Sequence, residues 1–260
     1  MLVIAGSDSG GGAGIAADLK TLSAHGVWGL LAITAVTAQN TTVVRAIHAL
    51  EPEMVTSQIQ AVVEDIGCDA VKVGMVPDRS TVAAILRALQ SLPEDIPVVW
   101  DPVLAASTGN ALGSAEAISA ALSSGRITLF TPNAPEAAVL TGRRVETRAE
   151  VEAAAQRLLD QGARAVLIKG GHLPEAGACD YLALPRGGRW LEGERIAAQP
   201  THGTGCVLAS AAAAGLARGL DLEEAVVRAK RFVTEAIRAQ RHLGAGRWPV
   251  DPCWEVRPWT

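Results

Sequence analysis

Met1-Leu2-Val3-Ile4-Ala5-Gly6-Ser7-Asp8-Ser9-Gly10-Gly11-Gly12-Ala13-Gly14-Ile15 opens the chain, an apolar run of strand length that passes through a glycine-rich loop toward a helix. Residues Ile15 to His25 have helical length and stop at Gly26, so the first twenty-six residues read as strand, loop and helix. The same alternation continues outward. Gly29 to Val36, Ala70 to Val73, Val98 to Trp100, Ile127 to Phe130 and Ala165 to Lys169 are short, nearly all apolar runs. Strands of that kind lie inside a sheet covered on both faces. Between them fall Ala- and Leu-rich segments of helical length, which is the pattern of parallel strands joined by crossover helices. The expected fold is α/β, a three-layer αβα sandwich with a mostly parallel central sheet.

The helices carry their own punctuation. Thr147-x-x-Glu150 is a capping box ahead of Val151, Ala154, Ala155, Leu158 and Leu159, and Gly162 ends that helix. Glu53 to Ile66 closes at Gly67, Thr81 to Gln90 follows, and the chain finishes in helices expected over Cys206 to Arg218 and Leu222 to Leu243. Tyr181 to Leu184 and Arg189 to Glu192 flank Pro185-Arg186-Gly187-Gly188, which predicts a β-hairpin at one sheet edge. No repeat or low-complexity linker interrupts the 260 residues, so one domain spanning 1–260 is expected.

A net charge of -4 with scattered Lys and Arg argues against nucleic acid as a partner. The opening apolar run is too short for a signal segment and lacks a basic lead, and no stretch approaches 18 apolar residues, so a cytoplasmic protein away from membranes is expected. The four cysteines, at 68, 179, 206 and 253, form no C-x-x-C pair.

Three segments carry chemistry. Thr201-His202-Gly203-Thr204-Gly205-Cys206 runs straight into the small-residue helix Val207 to Ala214. Glycines ahead of a helix let successive backbone N–H groups converge on an anion, and the helix dipole adds about half a positive charge there. A thiol in that first turn is expected to have a lowered pKa, which makes Cys206 a candidate base or nucleophile. A plain tight turn with a buried cysteine fits the local sequence equally well. No Walker A pattern occurs, so a phosphotransferase here is not a P-loop enzyme.

The glycine-rich loop from Gly6 to Gly14 fits a degenerate dinucleotide fingerprint, but the run Ile33 to Val36 leads into Thr37-Ala38-Gln39-Asn40 without the carboxylate such a site needs. Polar residues recur where strands end: Lys72 with Gly74-Met75, Asp101-Pro102, Asn133 with Glu136, and Lys169-Gly170-Gly171-His172. Ligands of open α/β sheets bind beyond the carboxyl ends of strands, so these positions can share one crevice. Carboxylates there suit Mg²⁺, and Lys169 suits phosphate. Taken singly, Asn133 and Asp101 also suit caps or turn formers, and Lys169 a strand-end charge in water.

Together these motifs resemble the hydroxymethylpyrimidine/phosphomethylpyrimidine kinases of thiamin biosynthesis, members of the ribokinase-like superfamily. The matching residues are Ala5 to Ile15, Ala17-Asp18-Leu19-Lys20, Thr34 to Thr41, Lys72-Val73-Gly74-Met75, Asp101-Pro102-Val103, Thr131-Pro132-Asn133-x-x-Glu136-Ala137, Lys169 to His172 and His202 to Cys206, in family order over nearly the whole chain. The resemblance implies ATP with Mg²⁺, and phosphorylation of 4-amino-5-hydroxymethyl-2-methylpyrimidine and then of its monophosphate. By motif position it implies that Gly6, Asp18 and Gln39 hydrogen-bond the aminopyrimidine while Met75 and Val103 line its faces. Asp101 and Glu136 fall on the metal and phosphate side, Lys169, Asn133 and Thr204 on the nucleotide, and Gly203, Gly205 and Cys206 in the anion hole, with Cys206 as base. A homodimer is the family habit. The segment from Leu104 to Gly109, ahead of Asn110-Ala111-Leu112, stands where a flap is expected, without the cysteine of some pyridoxal-phosphorylating relatives, and the ending Gly244 to Val250 is a loose version of the family's. A pyridoxal or pyridoxine kinase and a non-catalytic pyrimidine-binding protein are the competing readings.

Overall fold

The computed structural model describes residues 1–105, 112–171 and 178–255. His172 and residues 106–111, which take in most of the expected flap, lie outside the described residues. In chain order the elements are β1 (Leu2–Ala5), α1 (Gly14–Ala24), β2 (Leu30–Ile33), β3 (Ala35–Gln39), β4 (Val44–Ala49), α2 (Pro52–Asp65), β5 (Val71–Val73), α3 (Arg79–Leu89), β6 (Val98–Trp100), α4 (Ala115–Leu122), β7 (Leu129–Phe130), α5 (Ala134–Thr141), α6 (Arg148–Asp160), β8 (Val166–Ile168), β9 (Asp180–Leu184), β10 (Gly187–Leu191), β11 (Thr201–His202), α7 (Thr204–Ala217), α8 (Leu222–Arg238) and β12 (Trp248–Pro249).

Eight strands form the main sheet in the order β10-β9-β8-β7-β6-β5-β1-β2. β2, β1, β5, β6, β7 and β8 run parallel, and β9 and β10 close the edge as an antiparallel hairpin. Alternate residues of one strand feed different cores, because successive side chains leave a strand on opposite faces. Leu2 and Ile4 pack with α2 to α6 through residues such as Ile59, Ile85, Leu122, Leu140 and Leu158. Val3 and Ala5 pack with α1, α7 and α8 through Leu22, Val207 and Val226. The result is the three-layer sandwich expected of a ribokinase-like chain.

Three of the differences between the sequence-based bounds and the structure bear on the site. The expected strand Gly29 to Val36 breaks at Thr34, whose N–H donates to Ala5 O and whose Oγ1 donates to Met75 O at 2.7 Å. Beyond that break β3 leaves the main sheet and pairs antiparallel with β4 in a separate two-stranded ribbon. Helix α8 stops at Arg238, short of the expected Leu243. There the chain turns back so that Arg241 N donates to Pro249 O and its guanidinium pairs with Asp251. A parallel pair, β11 with β12, forms where no strand was expected, setting Thr201 beside Trp248 and His202 beside Pro249.

From β1 the chain steps one way to β2 and later crosses back to β5 on the other side of β1. The order therefore reverses between β1 and β5, and crevices of open α/β sheets form beyond the carboxyl ends of strands at such reversals.

Candidate active site

A cavity of about 490 Å³ opens at that reversal. The loop after β1 supplies Gly6, Ser7 and Asp8, β3 supplies Gln39, and the ends of β5 and β6 supply Met75, Asp101 and Val103. Asn133 and Glu136 come from the start of α5, Lys169 from the end of β8, and Gly203, Thr204, Gly205 and Cys206 from the turn into α7. Every site residue named from sequence lines this cavity except Asp18.

The turn ahead of α7 depends on backbone that only glycine adopts without strain. Gly203 is the N-cap with φ of 85°, and a Cβ on it would collide with the carbonyl oxygen of Gly12. The sharp turn brings the first amides of α7 to the cavity, where the positive end of the helix dipole lies. Small residues make the placement possible: Val207 to Gly215 are all buried, so α7 runs through the interior against the sheet, α1 and α8.

Across from this turn, Lys169 Nζ donates to Asp101 Oδ1 at 2.7 Å and lies 4.0 Å from Glu136 Oε2. Asp101 also accepts from Thr131 Oγ1 at 3.1 Å. A Cβ on Gly205 would stand 3.2 Å from Lys169 Nζ and 3.3 Å from Asp101 Oδ2, so the anion turn and this ion pair are contiguous. Burial would drive a proton off Lys169, but the charges of Asp101 and Glu136 outweigh it and raise the lysine's pKa. Burial pushes the Glu136 carboxyl up to about 7 against the pull of Lys169. Asn133 is the N-cap of α5 in a full capping box: its Oδ1 accepts from Glu136 N at 2.8 Å while Glu136 Oε2 accepts from Asn133 N at 2.7 Å. The cap reading of Asn133 and its cavity position thus coexist in one residue.

Asp18 is a buried anchor behind the cavity wall. It is 0% exposed, and Lys72 Nζ donates to both of its oxygens at 2.9 Å. Ser210 Oγ, one turn along α7 from Cys206, donates to Asp18 Oδ1 at 2.7 Å. Lys72 reaches the cavity in its place. Burial disfavours the ammonium, but Asp18 beside it raises its pKa and keeps it charged. The expectation of a depressed thiol pKa is corrected here. Burial pushes Cys206 up to about 11, with Lys72 pulling down and Asp18 and Asp101 pushing up.

Sequence motifs left Asp8 and His202 without a role. Asp8 accepts from the N–H groups of Gly10, Gly12 and Ala13 at 2.8, 3.0 and 2.8 Å. His202 Nε2 donates to Asp8 Oδ2 at 2.8 Å, tying the first loop to β11. Burial would raise the Asp8 pKa, but the bonds from His202, Gly10 and Ala13 hold it below the ordinary value. An Asp followed by glycines at i+2 and i+4 is the available signal, since such an aspartate folds a loop around its carboxylate. The Gln39 amide lies 3.4 Å from His202 Nε2, so the end of β3 stands beside the pair.

Comparison with known proteins follows the same lines. Residues 8–251 match the family model described as phosphomethylpyrimidine kinase. The chain is 45% identical to the hydroxymethylpyrimidine/phosphomethylpyrimidine kinase of Rhizobium meliloti (strain 1021), with 96% of this chain and 95% of that protein covered. It superposes on the phosphomethylpyrimidine kinase of Clostridium difficile 630 with a TM-score of 0.79 at 39% identity, covering 91% of this chain and 98% of that one. The ADP complex of Bacillus subtilis pyridoxal kinase superposes with a TM-score of 0.88 at 32% identity, covering 98% of each.

Proposed function

The chain belongs to the phosphomethylpyrimidine kinase family, and from that premise we propose that the cavity seats the aminopyrimidine between Met75 and Val103, hydrogen-bonded at Gln39, with its hydroxymethyl arm toward Cys206. The activity is ATP-dependent phosphoryl transfer in thiamin biosynthesis, to 4-amino-5-hydroxymethyl-2-methylpyrimidine and then to its monophosphate. One observation carries the residue assignment: the glycine turn of α7 and the Lys169–Asp101 pair meet at Gly205, in the same cavity that Met75 and Gln39 line.

Phosphoryl transfer needs positioning and charge stabilisation more than covalent chemistry from the protein. The amides at Gly203, Gly205 and Cys206 face the travelling phosphoryl group, and Lys169 and Thr204 hold the donor's phosphates beside them. Asp101 and Glu136 fit Mg²⁺, since two acids beside a phosphate site match an ion that keeps water and phosphate as its other ligands. Bound there, Mg²⁺ would neutralise phosphate charge. Asp18 acts at one remove, by fixing Lys72 in the wall. Cys206 accepts the hydroxyl proton in the first transfer, and only from its thiolate form, because a thiol already holds the proton it would take.

Mass spectrometry of the products formed from Mg-ATP with the pyrimidine, its monophosphate and pyridoxal tests this reading. Successive gains of one phosphoryl group on the pyrimidine are expected. Exclusive phosphorylation of pyridoxal, which the likeness to pyridoxal kinase structures keeps as the second reading, would overturn it. We place the working enzyme in the cytoplasm as a homodimer, supported by the exposed Val36 and Ile47 of the β3–β4 ribbon, and light scattering at twice the chain mass checks the assembly.

A further inference from the structure

The segment between α8 and β12 ends on an arginine that no step of the proposed mechanism uses. Arg247 lines the cavity, yet among the described residues its side chain has no hydrogen bond or ion pair. The two lysines of the cavity wall are committed, Lys72 to Asp18 and Lys169 to Asp101, and His202 is bonded to Asp8.

The backbone that carries Arg247 is held at both ends. Arg247 N donates to Thr41 O at 3.0 Å and Gly246 N to Thr41 Oγ1 at 3.2 Å, at the tip of the β3–β4 ribbon two residues past Gln39. A Cβ on Gly244 or Gly246 would collide with Thr41, so close contact with the ribbon tip is built into this strap. On the other side Trp248 N donates to Pro200 O at 3.0 Å, Trp248 pairs with Thr201, and the Trp248 ring stacks on His242 at 4.3 Å. Arg247 is therefore fixed between the ribbon that carries Gln39 and the strand that leads into the anion turn.

Resting on the function proposed above, we infer that Arg247 recognises the phosphomonoester of the second acceptor. The two acceptors differ by one phosphate that carries close to two negative charges, and an uncommitted guanidinium presents paired N–H donors suited to phosphate oxygens. The first acceptor offers Arg247 no such group. Arg247 is thus a specificity-determining residue for the monophosphate.

Steady-state kinetics of the full chain with Arg247→Gln and Arg247→Lys, on both acceptors and with ATP varied against each, tests the inference. The expected result for Arg247→Gln is a rise of about tenfold in KM for the monophosphate, the scale of one charge-assisted hydrogen bond at an exposed site. The pyrimidine constants stay unchanged, which also reports an intact fold, and Arg247→Lys recovers part of the loss. Equal losses on both acceptors, a raised KM for ATP in both reactions, or no change on the monophosphate would each overturn it. Failure of the wild-type chain to phosphorylate the pyrimidine would instead remove the functional reading on which it rests.

Discussion

At the scale of single residues, the thiol of Cys206 and the ammonium of Lys72 share one neighbourhood, and both are held protonated at neutral pH. With the thiol pushed up to about 11, its thiolate fraction grows about tenfold per pH unit through neutrality. The Cys206-dependent part of pyrimidine phosphorylation should therefore climb between about pH 7 and 9, and Cys206→Ala should abolish the climb. That variant should slow transfer to the pyrimidine more than transfer to the monophosphate, whose attacking oxygen is already ionised; equal losses would assign Cys206 a purely positional role. Lys72→Met leaves the Asp18 carboxylate unpaired in the interior and should cost about 3–5 kcal/mol in urea unfolding, with most of it restored by adding Asp18→Leu. An unaltered midpoint in the single variant would show that the pair carries no such weight. Motif position put Asp18 on the ligand, whereas helical spacing places it on the buried stripe of α1 with Ala17, Thr21 and Leu22. Periodicity held the information about depth that the motif lacked.

At the scale of elements, sequence signals were sharpest where an element ends on a local hydrogen bond. Thr147 and Glu150 form the expected capping box, with Thr147 Oγ1 accepting from Glu150 N at 3.3 Å and Glu150 Oε2 accepting from Thr147 N at 3.0 Å. Thr147→Ala should cost about 1 kcal/mol by equilibrium unfolding and leave both transfers intact, since α6 borders no part of the cavity. Elements ended by distant partners were hidden. Thr34 breaks the expected second strand because its bonds run to Ala5 and Met75, and α8 stops early because Arg241 is drawn to Pro249 and Asp251. β4 escaped notice for a related reason: in Val44–Ala49 only Val44 is buried, so the strand shows no alternating apolar face.

Over the whole molecule, the apolar strand runs disclosed a covered parallel sheet, but the order β10-β9-β8-β7-β6-β5-β1-β2 rests on pairings far apart in sequence. The candidate site was legible to the extent that its residues sit next to strand ends and a glycine turn; Asp8, His202 and Arg247 join it only through tertiary contacts. Ligands that bind the folded chain alone stabilise it by mass action, so Mg²⁺ with a non-hydrolysable ATP analogue, at about one hundred times its Kd, should add roughly 2.7 kcal/mol to unfolding. No shift in melting temperature at that ratio would contradict a preformed nucleotide site. The contacts of Asp8 with His202 and of Asp18 with Ser210 join positions 194 and 192 apart in the chain. A ribosome making this protein therefore releases the pyrimidine-facing half long before the phosphate-facing turn exists. Chains cut off before residue 200 would carry the strand sequences of the main sheet but neither α7 nor α8 to cover one of its faces, so premature termination yields an inert fragment rather than a partly active enzyme.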